Sequence, residues 1–371
     1  MKEEESRIDE IFIREKFAEY YKKNRIKAPE NIEKREFGFG SWRKKIESRH
    51  YSFKNEDEMN NFLSRNVPMY ISYSAGVYKF PTLRPIENKE WISGEIPFDV
   101  DADTLNLECK KRHGKKLICE KCMGEAKNCI FRLVEDFLIK DFGVSKDKIE
   151  INFSGNKGYH LHLNEFEETG RYGREEISDY VNGRIDYDDL FYETEGKPFG
   201  PKLNGGWGGR FVRTLLKSIE SRTIEEFISK RSAKKFYEKR KFIEDGDWSK
   251  IYISNRKKFF EDLIKKIAKK NSCNIDEQVT RDITRLIRLP DSLHGSSGMV
   301  AKRIKNSELD KFDPLKDAIV FGDKETKIYV ENLPEISLND QTFGPWRKET
   351  KVVPEYLSIY LICKRIARLI S

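Results

Sequence analysis

The segment at residues 94–103, GEIPFDVDAD, places acidic residues inside an apolar run. Its β-favouring residues predict a strand that enters a core. Because side chains alternate along a strand, Asp99 and Asp101 share one face, with Cα atoms roughly 6.5 Å apart. A cation between two such carboxylates removes their repulsion, as in sites that hold Mg²⁺ or Mn²⁺ for phosphoryl transfer. An acidic surface strand has the same local pattern, so the rest of the chain decides between the two interpretations.

Composition limits the classes of protein that this chain can represent. The 371 residues include 71 Lys and Arg against 63 Asp and Glu, which gives a formal net charge of +8. This excess favours a polyanionic partner, although charge-rich surfaces are also typical of thermophilic proteins. No apolar run is long enough to span a bilayer, and the start, MKEEE, lacks a signal-peptide core. We therefore expect an intracellular protein without a membrane partner.

A cluster of cysteines follows the acidic strand. Cys109, His113, Cys119 and Cys122 are spaced as tetrahedral zinc ligands, and Cys129 lies seven residues further on. The segment is short and polar, so it needs a metal to order it. Cys129 falls in a helical pattern, where a buried thiol is the simpler interpretation. The lysines and arginine between these residues would suit a nearby nucleic acid, or simply a solvated loop.

A glycine-bearing turn separates two predicted strands. Residues 149–153 and 159–163 alternate as strands, and Ser154–Gly158 joins them. The small residues of the turn can expose backbone N–H groups, and Lys157 adds positive charge, so the turn could cradle a phosphate. His160 follows on the second strand. His162 shares its strand face with His160. One histidine on a strand is usually structural, but two beside such a turn favour a functional role.

The middle of the chain differs in character. Residues 167–250 are highly charged and mostly helix-like, which indicates a helical insertion rather than a catalytic segment. Gly205–Gly209 interrupts this pattern and is predicted to be flexible. Since no strand precedes it and no Lys-Ser/Thr pair follows, the glycines do not indicate a phosphate-binding loop.

Three later segments complete the predicted elements. Cys273–Val279 alternates like a strand that bears an acid, and Thr280–Leu289 has a helical pattern that Pro290 ends. Val353–Ile370 is predicted to be an apolar-rich helix. It is too charged to span a membrane, so it either packs in the core or forms a partner interface.

Together these motifs resemble the small, catalytic subunit of archaeal and eukaryotic DNA primases. The resemblance extends from Arg35 to about Lys302 and depends on several stretches in the expected order. These are FDVD at 98–101, the Cys/His cluster, SGNKGYH at 154–160 and RLIRLPDSLHG at 285–295. The length and lysine content look more archaeal than eukaryotic.

The resemblance implies a mixed α/β (α+β) catalytic core with two additions. The core would occupy the chain 1–371, chiefly residues 1–166 and 251–350. A zinc knuckle would be inserted at 104–130 and a helical subdomain at 167–250. Residues 351–371 would form a C-terminal helix.

The resemblance also implies roles for individual residues. Asp99, Asp101 and Asp276 would be the catalytic carboxylates that bind Mg²⁺ or Mn²⁺. The residues implied at the nucleotide are Ser154, Asn156, Lys157, His160, Arg288 and His294, with Glu36 and Arg49 nearby. The implied zinc ligands are Cys109, His113, Cys119 and Cys122, with the choice among Cys109, His113 and Cys129 left open.

The chain departs from the family pattern at two positions. The family often has arginine at the position of Asn156, so Lys157 would have to supply that contact. A basic residue is common at the position of Ser296, where Lys302 or Arg303 could compensate.

The third carboxylate has two candidates in the sequence. Asp282 lies in the predicted helix, beside arginines on its surface, where an ion pair would explain it. Asp276 lies on the predicted strand, which could run beside the strand of Asp99 and Asp101. The resemblance also selects Asp276, so we predict that this residue is the catalytic one.

The implied activity is template-directed synthesis of short RNA primers on single-stranded DNA at the replication fork, with deoxynucleotide use left open. The implied partners are a large primase subunit, the template and nucleoside triphosphates. Three other functions compete: a primase-like repair polymerase, a non-catalytic zinc module that binds nucleic acid, and a metal-dependent nuclease. Neither of the last two would need a triphosphate pocket beside the carboxylates.

Overall fold

The computed structural model describes residues 2–194 and 197–370. The α-helices of this part of the chain are, in order, α1 (Lys2–Lys23), α2 (Glu56–Asn66), α3 (Cys109–His113), α4 (Glu120–Phe131), α5 (Arg171–Val181), α6 (Tyr187–Leu190), α7 (Gly206–Glu220), α8 (Lys230–Glu238), α9 (Arg240–Asp245), α10 (Arg256–Asn271), α11 (Glu277–Arg281), α12 (Pro314–Asp317) and α13 (Glu355–Cys363). A π-helical stretch, Arg132–Ile139, follows α4. Short 3₁₀ turns occur at Ile32–Lys34, Ile86–Lys89, Lys146–Lys148, Ile224–Glu226, Trp248–Lys250 and Asn306–Glu308.

The strands within the same residues are β1 (Phe37–Gly40), β2 (Ser48–Tyr51), β3 (Tyr70–Ser74), β4 (Gly76–Tyr78), β5 (Trp91–Gly94), β6 (Ile96–Asp101), β7 (Ile149–Phe153), β8 (Gly158–Leu163), β9 (Tyr192–Thr194), β10 (Lys197–Phe199), β11 (Leu286–Arg288), β12 (Arg303–Ile304), β13 (Glu325–Leu333), β14 (Ile336–Leu338), β15 (Gln341–Phe343), β16 (Trp346–Pro354) and β17 (Ala367–Leu369). The predicted mixed α/β fold is confirmed.

The chain divides into two compact units. The first comprises Met1–Asn128, Lys146–Arg174 and Asp276–Ser371, and the second comprises Cys129–Ser145 and Glu175–Ile275. The domain boundaries given in the sequence analysis stay a prediction.

Two four-stranded antiparallel sheets organise the first unit. One has the order β11-β3-β1-β2 and the other has the order β12-β7-β8-β6. In β6 the apolar side chains of Ile96, Phe98 and Val100 are fully buried. Because a strand alternates, this burial turns Asp99 and Asp101 to the opposite face of their sheet.

A buried polar network links the two sheets. The hydroxyl of Tyr73, on β3, donates to Oε1 of Glu95 at 2.9 Å, and Nδ1 of His162, on β8, lies 3.0 Å from the same oxygen. Arg35 lies 3.7 Å from the Glu95 carboxylate and donates to the carbonyl oxygens of Ser74 and Ala75. Charged groups at this depth need such partners.

The C-terminal part of the first unit contains a smaller sheet. Its strand order is β16-β13-β17, and β14 and β15 form a separate hairpin. Helix α13 is buried along its whole length, which explains its almost entirely apolar sequence.

The second unit is built mainly from helices α5 to α10. Its core is aromatic: the Phe191 and Phe260 rings lie 4.5 Å apart, and Trp248 is fully buried against both. A buried ion pair joins Arg210 to Asp141 at 2.5 Å.

Two predicted elements around Asp276 are wrong. Cys273–Val279 is not a strand, because the Asp276 side chain accepts a hydrogen bond from the Gln278 N–H and caps α11. The predicted helix Thr280–Leu289 ends at Arg281. The Asp282 carboxylate accepts from both the N–H and the hydroxyl of Thr284, which forms a turn, and the chain then joins the sheet as β11.

The glycine-rich segment and the C-terminal helix also differ from expectation. Gly205–Gly209 is not a flexible interruption, since α7 begins at Gly206 with Gly205 as its N-cap. A Cβ at Gly209 would lie 1.7 Å from the Asn204 carbonyl oxygen, so the helix start requires a glycine there.

The predicted helix Val353–Ile370 is too long. It ends at Cys363, where Arg365 takes a left-handed conformation (φ 58°) and leads into β17.

Among the residues described, no helix combines the length and the apolar character needed to cross a membrane.

Candidate active site and metal centre

The register of β6 and β8 places the acidic strand beside the glycine-bearing turn. Asp99 pairs with His160, and Asp101 pairs with Gly158 at the end of that turn. A Cβ at Gly158 would lie 2.2 Å from the Val100 carbonyl oxygen, so only glycine allows this approach. The turn and the carboxylates therefore occupy one edge of the sheet.

A cavity of about 200 Å³ opens at this edge. Seven residues that the sequence analysis assigned to the site line it: Asp99, Asp101, Ser154, Asn156, His160, Arg288 and His294. Arg288 comes from β11 of one sheet, whereas the carboxylates come from β6 of the other. The fold thus brings together residues that are up to 195 positions apart in the sequence.

Burial and neighbouring carboxylates make negative charge on Asp99 and Asp101 unfavourable. Burial, together with the charges of Asp101 and Asp276, raises the pKa of Asp99 to about 8. Burial and the nearby Asp103 also raise the pKa of Asp101. Among the described residues, no lysine or arginine forms an ion pair with either carboxylate, and His160 Nε2 lies 3.7 Å from Asp99. Such a donor set fits a divalent cation with oxygen ligands, which would relieve the repulsion.

Asp276 lies next to this pair but does not line the cavity. Its backbone N–H donates to the carbonyl oxygen of Asp99 at 2.8 Å, and its charge contributes to the raised pKa of Asp99. Asp282 instead lines a separate, larger cavity with Tyr78 and Trp91. Although the predicted strand and helix are wrong, the fold keeps Asp276 beside β6.

The hydroxyl of Ser154 stabilises the Ser154–Gly158 turn. Ser154 Oγ accepts hydrogen bonds from the N–H groups of Asn156 at 3.3 Å and Gly158 at 3.2 Å. Gly155 has a φ of 80°, and a Cβ there would lie 2.9 Å from the Cβ of His294. His294 therefore packs directly on the turn, which requires glycine at this position.

The two histidines of the cavity are held neutral. Burial lowers the pKa of His160 to about 3, and burial with the nearby Arg288 lowers the pKa of His294 well below its usual value. Nδ1 of His294 accepts from the Ser296 N–H at 3.1 Å. The proton of this neutral ring is therefore on Nε2, which can donate to a ligand.

Arg288 is a part-buried cation at the cavity wall. Its Nη1 donates to the Ile71 carbonyl oxygen at 3.0 Å, and the guanidinium lies 5.2 Å from the centre of the Tyr70 ring. Burial lowers its pKa to about 10, so it remains charged near neutral pH. No carboxylate among the described residues forms an ion pair with it, so its charge is available to an anionic ligand.

Three predicted nucleotide residues lie outside the cavity lining. Lys157 pairs with Asp103 at 2.6 Å. Glu36 is fully buried and binds Arg49 at 3.0 Å and the Lys89 ammonium at 2.7 Å. In this arrangement the opposite charges of Glu36 and Arg49 offset each other.

Four polar residues at or beside the cavity were not assigned from the sequence. Lys45, Ser72 and Arg285 line the cavity, and Lys364 lies 2.6 Å from the lining residue Asn156. Arg285 could have been assigned from the sequence, because it belongs to the RLIRLP motif. The helix wrongly predicted for Thr280–Leu289 concealed its place at the cavity. The others lie in segments without a recognisable motif.

The Cys/His cluster forms a second site. The ligand atoms of Cys109, His113, Cys119 and Cys122 all lie within 4.8 Å of one another. Cys109 and His113 are the two ends of α3, and Cys119 and Cys122 belong to the turn that starts α4. A tetrahedral zinc ion bound by three thiolates and one imidazole fits this set. Cys129 is not part of this group of described residues, and its sulfur accepts from Arg132 at 3.1 Å.

His113 is prepared for such a metal. Its Nδ1 lies 2.8 Å from the Gly114 carbonyl oxygen, and its Nε2 is buried without a hydrogen-bond partner among the described residues. An Nδ1–H that donates to a carbonyl leaves the Nε2 lone pair free, which is the usual arrangement of a histidine ligand. A bound zinc would satisfy this otherwise orphaned atom.

Comparison with known proteins identifies the family. Residues 98–305 match the model for the DNA primase small subunit. The chain is 31% identical to the DNA primase small subunit PriS of Methanosarcina barkeri, over 96% of this chain and 95% of the relative. It is 32% identical to the PriS proteins of Archaeoglobus fulgidus, over 96% and 98% of the two chains, and Thermoplasma volcanium, over 93% of each. The chain therefore belongs to the DNA primase small subunit family.

Proposed function

We propose that this chain is the catalytic subunit of a DNA primase and synthesises short RNA primers on single-stranded DNA by two-metal nucleotidyl transfer. The observation that carries the proposal is the cavity that joins Asp99 and Asp101 to the Ser154 turn and to Arg288. It combines carboxylates for divalent ions with cationic and N–H groups for phosphates, and a polymerase needs both.

Each part of the cavity has a task in this proposal. Asp99 and Asp101 would hold Mg²⁺ or Mn²⁺, with Asp276 as a third carboxylate beside them. Bound divalent ions would lower the pKa of the attacking hydroxyl and neutralise charge on the triphosphate. Arg288 and the Nε2–H of His294 would bind the phosphates, which positions the nucleotide for attack.

The zinc centre has a structural role in the proposal. Four protein ligands would leave no open coordination position for a substrate, which is typical of structural zinc. Loss of the metal should loosen the segment around α3 without removing the cavity.

The family resemblance supplies the proposed partners. They are a single-stranded DNA template, nucleoside triphosphates and a large primase subunit that forms a heterodimer with this chain. We expect weak initiation by this chain alone and stronger initiation in the heterodimer.

An oligonucleotide synthesis assay tests the proposal. Purified protein is incubated with unprimed single-stranded DNA, Mg²⁺ or Mn²⁺ and nucleotides, with and without the large subunit. The wild type should make short products, whereas Asp101→Asn should make almost none. Asp323→Asn is a matched control, because it makes the same chemical change at an exposed position.

Three outcomes would favour a different function. Extension of primed but not unprimed templates would indicate a repair polymerase. Template binding without synthesis, unaffected by Asp101→Asn, would indicate a non-catalytic zinc module. Degradation of the template would indicate a nuclease.

A further inference from the structure

Lys364 is a buried cation at the edge of the candidate active site. It follows the last residue of α13, is 5% exposed, and its Nζ lies 2.6 Å from Oδ1 of Asn156. Asn156 belongs to the Ser154–Gly158 turn and lines the cavity. The C-terminal part of the chain thus brings a positive charge to a turn that lies 208 positions earlier in the sequence.

Within residues 2–194 and 197–370, the charge of Lys364 has no partner of opposite sign in direct contact. Among the described residues, no carboxylate forms an ion pair with its ammonium, whereas the other lysine near the turn, Lys157, is paired with Asp103. Burying an ammonium without a counter-ion is unfavourable, so such groups often mark ligand sites. Burial lowers the pKa of Lys364 to about 7; nearby Lys157 also lowers it, and Asp103 and Asp101 raise it.

The fold fixes the position of this ammonium. The Lys364 N–H donates to the Tyr360 carbonyl oxygen at 2.9 Å, and the ammonium lies 5.1 Å from the centre of the Tyr360 ring. The next residue, Arg365, donates to the Trp42 carbonyl oxygen at 2.8 Å and stacks on its ring. The end of α13 is therefore held on both sides, and Lys364 can reach the cavity with little loss of conformational freedom.

We infer that Lys364 binds the triphosphate of the incoming nucleotide, with Asn156 holding its ammonium toward the phosphates. This inference rests on the proposed function and adds a residue from the C-terminal segment to the same site. Asn156 is neutral and Lys157 is paired with Asp103, so Lys364 offers, beside the turn, a positive charge that no carboxylate among the described residues neutralises by direct contact. A bound phosphate would supply the missing counter-ion.

Equilibrium binding with Mg²⁺ tests the role of the charge, using ATP and AMP as probes. Lys364→Gln keeps a side chain that can donate to Asn156 but removes the positive charge. Loss of a charge-assisted hydrogen bond predicts about tenfold weaker binding of ATP, and little change for AMP. Lys364→Arg should retain most of the ATP affinity. Lys324→Ala removes an exposed lysine from the same unit and should change neither affinity.

The outcomes distinguish this inference from a purely structural role. If Lys364 only holds Asn156 in place, Lys364→Gln should bind ATP like the wild type, and that result overturns the inference. Equal losses for ATP and AMP also overturn it. Because both probes report binding and not synthesis, failure here leaves the polymerase assay with Asp101→Asn as an independent test of the proposed function.

A measurement on the wild type covers the case in which Lys364→Gln does not fold. The pKa of Lys364 can be followed by NMR of isotopically labelled lysines, with the signal assigned by its absence in Lys364→Arg. Inorganic tripolyphosphate should raise this pKa, because an anion in contact stabilises the ammonium. An unchanged pKa at saturating tripolyphosphate would count against the inference.

Discussion

The backbone N–H of Asp276 donates to the carbonyl oxygen of Asp99 at 2.8 Å, so the first turn of α11 is fixed to the strand that carries the paired carboxylates. A second bond, from the Thr280 hydroxyl to the Pro97 carbonyl oxygen at 2.9 Å, holds the same helix to β6. Asp276 is therefore placed by backbone contacts, and its carboxylate stays beside Asp99.

Asp276→Asn should nearly abolish nucleotidyl transfer, while Asp282→Asn should have little effect. Asparagine keeps the helix-capping bond to Gln278 and removes only the charge, so the fold should be retained. The measurement is primer synthesis, with circular dichroism as the control for folding. An inactive Asp282→Asn beside an active Asp276→Asn would show that the third carboxylate is Asp282.

Arg288→Ala should weaken nucleoside triphosphate binding about tenfold or more and leave template binding nearly unchanged. The reason is that Arg288 lies part-buried at the cavity with no carboxylate partner among the described residues, so its contact with a phosphate would be charge-assisted. Arg347→Ala, an exposed arginine of the same unit, serves as the control in both titrations. If template affinity falls and triphosphate affinity does not, Arg288 contacts the nucleic acid instead.

The freshly purified protein should contain about one zinc ion per chain, since four ligands complete one tetrahedral structural site. Cys122→Ser should lose this zinc, whereas Cys129→Ala should keep it, because Cys129 lies outside the ligand group. Elemental analysis of the three proteins provides the measurement. A zinc content that depends on Cys129 and not on Cys122 would contradict the assignment.

Glu95 makes the stability of the first unit sensitive to acid. Burial raises its pKa, but the charges of His162 and Arg35 and the bonds from His162 and Tyr73 outweigh burial and hold the pKa at about 2. Because this pKa lies below the value near 4.5 that the carboxyl has in the unfolded chain, the ionised Glu95 stabilises the fold at pH values above about 4.5. This contribution is lost as the pH falls from there toward 2.

We therefore expect the free energy of unfolding of the wild type to fall by about 3 kcal/mol more than that of Glu95→Gln between pH 5 and about pH 2. Urea unfolding at a series of pH values measures this difference. Parallel pH profiles for the two proteins would show that Glu95 is not the group responsible.

Local patterns predicted the parts of the site that lie on regular strands. The alternation at Ile149–Phe153 matches β7, and the pattern around Asp99 and Asp101 placed both carboxylates on one face of β6. The spacing of Cys109 to Cys122 predicted the metal cluster, since Cys-x₂-Cys forms a tight turn by itself. In these cases the residues that determine the geometry are close in sequence.

The remaining features depend on distant partners. The alternation at Cys273–Val279 resembled a strand, but a side-chain cap at Asp276 and two bonds to β6 favour a helix. Leu286–Arg288 has a helical pattern, yet its backbone pairs with β3. The contact of Lys364 with Asn156 spans 208 positions, and no local pattern encodes it.

The network of Tyr73, Glu95 and His162 has a consequence for how activity arises during folding. This network joins the sheet that carries Asp99 and Asp101 to the sheet that carries Arg288, so neither sheet alone holds all the groups that the proposed activity requires. Catalytic competence should appear only when the two sheets dock, after their strands have formed. A loss of activity that precedes the loss of secondary structure during mild denaturation would reveal this late step.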